Sequence, residues 1–80
     1  MRIIIDGDAC PQSVMKICEK NAKKYNIDLK IVVDTDHVIT SDYEVIMVEN
    51  GNDAVDYKIV QIFQNKDILV TQDYGLASLV

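Results

Sequence analysis

The sequence predicts an α/β protein built on a three-layer open sheet, mainly parallel. Three observations predict it. Four short apolar stretches stand where strands are expected, at 2–5 (RIII), 29–33 (LKIVV), 45–48 (VIMV) and 68–71 (ILVT). They are continuous rather than alternating, as strands covered on both faces are. Stretches with apolar residues at helical spacing lie between them, giving the order β-α-β-β-α-β-α.

The first strand, RIII, runs straight into Asp6 and Asp8. Pro11 follows, a residue tolerated in the first turn of a helix. Val14, Cys18, Ala22 and Tyr25 then recur at i, i+4, i+8 and i+11, flanked by Met15 and Ile17, with lysines 16, 20, 23 and 24 on other faces. This predicts an amphipathic helix of about four turns. The second strand, Leu29–Val33, ends in Asp34, Thr35 and Asp36, and a polar stretch leads to the third, Val45–Val48. Asn52 is the expected cap of a second helix over about 53–64, with Val55, Ile59, Ile62 and Phe63 as its core stripe. The fourth strand, 68–71, leads through Gln72–Gly75 into an apolar helix starting at Leu76. LASLV is apolar for a terminus, so a longer chain is expected, with residues 1–80 as the N-terminal portion of one domain.

The chain is 49% hydrophobic and 26% charged over 80 residues, ordinary for one small globular domain. Such a short chain buries only roughly 60% of the surface its unfolded form exposes. A partner subunit (a homo-oligomer), a metal or more chain would supply the missing stability. No apolar run approaches the ~18 residues of a membrane span. Arg2 is followed by three isoleucines and then Asp6, so no signal-peptide core is expected and the cytoplasm is the expected location. Cys10 and Cys18, eight apart, are too distant along one helix for a disulfide and are expected to be small buried hydrophobes. The net charge of −5 argues against nucleic-acid binding by bulk electrostatics. Carboxylates that hold divalent cations reverse that argument locally.

In open parallel sheets, ligands bind beyond the carboxyl ends of the strands. Acidic residues collect there in this sequence: Asp6 and Asp8 after the first strand, Asp34 and Asp36 after the second, Asp53 and Asp56 at the start of the second helix, Asp73 after the fourth strand. Each has a plain alternative. Asp8 is a candidate helix cap, Asp53 and Asp56 suit the positive end of a helix, Asp34 and Asp36 suit a solvated loop, and Asp73 suits a turn before Gly75. Capping does not explain Asp6, which ends a buried strand and is costly to bury unpaired. A divalent cation bound by oxygen ligands is the direct compensation for so many like charges. His37 is expected to be surface decoration. Tyr57 and Tyr74 lie beside the acidic edge and are candidates to stack on a base or sugar.

Three segments, DGDACP at 6–11, GNDAVDYKIV at 51–60 and DILVTQDYGLASL at 67–79, resemble the YaiI/YqxD family of uncharacterised bacterial proteins. The usual forms in that family are close to DADACP, G-x-DAADxxIV and VTQDxxLA. Gly7 stands here for the common alanine, a conservative change by sequence, and family members are considerably longer. The family is similar to PIN-like domains, many of which are divalent-metal-dependent ribonucleases. The resemblance therefore implies a PIN-like fold and a site at Asp6, Asp8, Asp53, Asp56 and Asp73, which match the acidic positions of the motifs.

The reading that follows is a hydrolase acting on single-stranded RNA with Mg²⁺ or Mn²⁺. Asp6, Asp56 and Asp73 are its candidate catalytic ligands, and Asp8 and Asp53 bind metal or hold its waters. Hydrophobic strand then D-x-D also opens haloacid-dehalogenase-type phosphatases, with Asp6 as nucleophile, Asp8 as acid/base and Thr71 as phosphate-binding hydroxyl. A non-catalytic metal- or RNA-binding module is the third reading.

Overall fold

The computed structural model describes residues 1–37, 39–51 and 53–80, apart from the side chain of Tyr74. Asn52, the expected helix cap, and the Tyr74 side chain thus lie outside the described residues. Four strands form one sheet: β1 (Arg2–Asp6), β2 (Asp28–Asp34), β3 (Glu44–Val48) and β4 (Ile68–Val70), in the order β3-β2-β1-β4. Every pairing is parallel, with Asp6 beside Val32 and Ile5 beside Val70. Helices α1 (Gln12–Tyr25), α2 (Ala54–Ile62) and the short α3 (Tyr74–Ala77) complete the α/β fold.

Period-2 alternation divides β1 between two cores. Ile3 and Ile5 pack with Leu29, Ile31 and Val33 beneath Met15 and Ala22 of α1. Ile4 and Val32 point the other way, onto Val55 and Ile59 of α2 and Leu76 of α3. The sheet is therefore the middle of three layers. Each fully buried isoleucine contributes roughly 1.5–3 kcal/mol, and the double coverage explains the unbroken apolar runs.

Three details, two in helices and one in a strand, differ from the sequence expectation. In α1 the buried residues are Met15 and Ala22, while Ile17 and Tyr25 are 59% and 62% exposed. Met15 and Ala22 are seven apart and so share a face; Ile17 lies on the opposite side, and Tyr25 closes the last turn. Asn26 then takes a left-handed conformation (φ 54°) and its N–H bonds the carbonyls of Ala22 and Lys23, a frequent helix ending. Helix α2 is shorter than 53–64, because Phe63 is already extended and packs into the second core. Strand β4 stops at Val70, and Thr71 turns its hydroxyl to another use.

At the opposite end of the sheet Arg2 grips Asp67 through Nε (3.2 Å) and Nη2 (2.6 Å), and Nη2 also reaches the Ile62 carbonyl at 2.9 Å. Asp67 in turn accepts the Gln64 N–H at 2.8 Å. This network ties the start of β1 to the turn between α2 and β4. Both cysteines are free and half-buried, and burial raises both thiols above the usual range. Among the described residues no helix is long and apolar enough to cross a membrane.

Candidate metal centre at the carboxyl edge

The chain passes from β1 to β2 and β3 on one side, then returns over the sheet through α2 to β4 on the other. The reversal places a crevice beyond the carboxyl ends of β1 and β4, where ligands of open α/β sheets bind. Asp6 ends β1 and shares the face of Ile4, so it points toward the α2 side of the sheet. A cavity of about 220 Å³ opens there, lined by the carboxylates Asp6, Asp8, Asp34, Asp53, Asp56 and Asp73.

Asp6 is 2% exposed, the one buried charged residue among those described. Its Oδ2 accepts a 2.8 Å hydrogen bond from Thr71 Oγ1. That same hydroxyl oxygen accepts the backbone N–H of Asp73 at 2.9 Å. One side chain therefore fixes Asp6 and the loop bearing Asp73 together. The Gln72 N–H, bonded to the Ala9 carbonyl at 2.9 Å, adds a second tie between the β4 loop and the 3₁₀ turn over Gly7–Ala9. That turn needs its glycine: a Cβ on Gly7 would overlap Val33 Cγ1 and lie 3.0 Å from the Val32 carbonyl.

The helix-cap alternatives fare differently for each carboxylate. Asp8 does not cap α1, which starts after Pro11 without a side-chain cap; its Oδ1 instead accepts the Asp34 N–H at 3.3 Å. Asp53 makes no cap bond either and sits at φ 59°, a left-handed conformation that aspartate tolerates better than most residues. Asp73 does cap: its Oδ1 accepts the Leu76 N–H at 3.2 Å, which leaves its other oxygen uncommitted to that helix.

Burial first, and the neighbouring carboxylates after it, raise the proton affinities of the site. Burial pushes the Asp6 carboxyl above the usual carboxylate range, against the pull of Thr71 and of backbone N–H groups from Ala9 and Asp8, and Asp73 pushes it further up. Asp56 is raised by burial first and then by Asp73, Asp6, Asp53 and Asp8. Asp8 is also raised by burial, with the Asp34 amide pulling it back. At the rim, His37 Nδ1 lies 2.7 Å from Asp34 Oδ1 and 3.2 Å from Asp8 Oδ1. These contacts raise the imidazole, chiefly through the hydrogen bond with Asp34, and lower Asp34. The donor set suits a hard cation: carboxylate oxygens surround the cavity, and among the described lining residues none is basic. Asp8, Asp34 and His37 offer ligand atoms within 4.8 Å of one another. Among the described residues Asp6, Asp56 and Asp73 share the cavity but form no such set.

Comparison with known proteins follows the same residues. Residues 4–80 match the profile of the family described as "Uncharacterized BCR, YaiI/YqxD family". The chain belongs to the YaiI/YqxD family. It is similar to the UPF0178 protein of Ruminiclostridium cellulolyticum (46% identical, covering 99% of this chain and 51% of the relative). It is also similar to the UPF0178 proteins of Lachnoclostridium phytofermentans (42%, covering 99% and 52%) and Enterococcus faecalis (42%, covering 100% and 55%). The chain thus spans about half the length of these curated YaiI/YqxD relatives. No solved structure matches it.

The structure brings the five acidic positions carried over from the YaiI/YqxD motifs to one cavity. It corrects three expectations. Asp34 is no loop residue: it closes β2, is half-buried and lines the cavity. Its position two residues past Val32, the neighbour of Asp6, could have given it away, since both share a face. His37 is exposed but bridges Asp34 and Asp8 rather than decorating the surface. Gly7 is not interchangeable with alanine in this chain, because Val33 fills the space. Asp36 does stay exposed, and its carboxylate accepts a hydrogen bond from Asn50. Tyr57 is 72% exposed and lines a groove next to Asp53, Asp56 and Asp73.

Proposed function

We propose that the acidic cavity holds Mg²⁺ or Mn²⁺ and that a protein built around it hydrolyses phosphodiester bonds of single-stranded RNA. One observation carries this reading: a carboxylate that is 2% exposed opens on a cavity lined by five further carboxylates. Apolar packing does not compensate that repulsion, and a divalent ion on oxygen ligands does. Such an ion, when bound, supplies Lewis-acid activation of a water and charge neutralisation at the phosphate. Asp6, Asp56 and Asp73 are its proposed principal ligands, and Asp8 and Asp53 hold the ion or its waters. Thr71 keeps Asp6 turned and in place. Asp34, restrained by His37, adds negative charge to the same wall. Tyr57, exposed beside the cavity, offers a stacking face for a base.

The phosphatase alternative is less well supported. It needs the Thr71 hydroxyl free for a phosphate, and that hydroxyl is shared between Asp6 and the Asp73 N–H. Two measurements test the proposal together. Mn²⁺ is expected to raise the melting temperature of the chain and to support cleavage of single-stranded RNA by the intact Ruminiclostridium cellulolyticum relative. Both effects should vanish on Asp6→Asn, made in the relative at the matching aspartate. No thermal shift and no cleavage would sink the reading. A thermal shift without cleavage would leave a metal-binding module.

A further inference from the structure

Helix α1 carries four of the chain's eight basic residues, Lys16, Lys20, Lys23 and Lys24, and a single acidic one, Glu19. Lys23 pairs with Asp42 at 2.5 Å, and Glu19 accepts the Ser41 hydroxyl at 2.5 Å, so both turn toward the loop between β2 and β3. Lys16, Lys20 and Lys24 are exposed, and among the described residues none of the three makes an ion pair. Their spacing of four sets them in one row, about 6 Å apart, on the side of α1 opposite the buried Met15 and Ala22. Ile17 and Tyr25, 59% and 62% exposed, flank the row, and Lys24 Nζ stands 5.4 Å from the centre of the Tyr25 ring.

Like charges at i, i+4 destabilise a helix, and an ordinary solvated face interleaves acids with its lysines. A row of one sign, kept in a chain of net charge −5, points to an anionic partner. A nucleic-acid strand and an anionic membrane both suit a row of lysines. The apolar face of α1 is packed in the core, so the helix has none to insert into a membrane, whereas the exposed Tyr25 offers a ring on which a base can stack. Helix α1 follows the Gly7–Ala9 turn directly, so the row descends from the acidic edge along the outside of its layer. A stacked strand carries one phosphate per about 3.4 Å, so a row of about 12 Å faces about three of them. We infer that Lys16, Lys20 and Lys24 form a track for the phosphate backbone of single-stranded RNA, leading the strand away from the cavity. The choice of RNA rests on the proposed nuclease reading; the track itself needs no metal.

The test titrates the isotope-labelled chain with a single-stranded oligouridylate in the presence of chelator. Amide shifts are expected along α1, at Lys16, Lys20, Lys24 and Tyr25. Raising the salt from about 50 to about 200 mM should weaken binding by the parent about twentyfold more than binding by Lys16→Gln/Lys20→Gln/Lys24→Gln, since each phosphate contact on a single strand adds about 0.7 to the salt exponent. Glutamine keeps the helix propensity of lysine and removes the repulsive pairs, so the triple variant should melt no lower than the parent. Should it melt lower, Lys20→Gln alone decides, with a two- to threefold share of the same effect expected, about 0.7 of the exponent. Lys66→Gln, in the turn before β4, should change neither affinity nor salt dependence. No binding, shifts centred away from α1, or lysine variants with the parent's salt dependence overturn the inference. Phosphatidylserine vesicles that shift the α1 amides where the oligouridylate does not would make a membrane the partner, which also overturns it. Binding along α1 by a chain that Mn²⁺ does not stabilise upholds the track and sinks the metal reading alone; a Mn²⁺ shift without binding along α1 sinks the track alone.

Discussion

Thr71 Oγ1 stands 2.8 Å from Asp6 Oδ2 and donates to it, while accepting the N–H of Asp73 at 2.9 Å. A single hydroxyl thus joins the two ends of the chain, 65 residues apart in sequence, at the acidic cavity. Thr71→Val keeps the shape and removes this link. It leaves the buried Asp6 carboxylate short of a donor, at a cost of about 1–3 kcal/mol. Thr71→Ser should restore most of that loss. Urea unfolding of the three proteins checks it, and a Val variant as stable as the parent would refute it.

Acidity should stabilise the cation-free chain before it harms it. The Asp6, Asp8 and Asp56 carboxyls are all raised by folding, mainly through burial. A raised group contributes stability that is complete below its unfolded value, about 3.9, and is lost as pH rises through its folded value. With chelator present, the melting temperature should therefore fall as pH rises through the folded values of these carboxyls and then of His37, whose imidazole is also raised. Asp67 has the opposite sign, since Arg2 holds it low, so its contribution is lost as pH falls toward its folded value. Asp6→Asn should raise the melting temperature at neutral pH and flatten the profile. A melting temperature that rises from about pH 5 to about 7 would contradict this.

Divalent cations should act in the other direction, on the same residues. At a Mn²⁺ concentration about one hundred times the dissociation constant, binding adds about 2.7 kcal/mol. Asp6→Asn and Asp56→Asn should remove that gain. Asp36→Asn should keep it, because Asp36 is not among the residues lining the cavity. Thermal shifts of the three variants with and without Mn²⁺ separate a defined site from general screening of a chain of charge −5.

Gly7→Ala should destabilise the chain by about 1–3 kcal/mol, the usual result of overpacking. The added methyl overlaps Val33 Cγ1. Val33→Ala removes that atom, so the glycine substitution should cost much less in that background. A double-mutant cycle by thermal or urea unfolding measures the difference, and equal costs in both backgrounds would show that the space is not limiting.

Much of the fold and of the acidic cavity is legible in the residues. Unbroken apolar runs require coverage on both faces, and that alone specifies a parallel sheet between helices. Carboxylates that end such runs are costly unless compensated, which singles out Asp6 by its position in the sequence. Other features depend on neighbours distant in sequence. Which helix covers the face of Asp6 follows from the strand order β3-β2-β1-β4, which no local pattern encodes. Asp34 joins the cavity only because β2 lies beside β1 in a register that sets Asp6 against Val32. His37 reaches Asp8 through the same pairing, while Asp34 is its neighbour three residues back, and an added methyl at Gly7 is costly only because Val33 is packed against it. Local sequence determined periodicity, burial and the identity of the charged residues, since these follow from side-chain chemistry one element at a time. Tertiary structure decided which charges meet and which surfaces stay open, because both depend on how elements far apart in the chain are brought side by side.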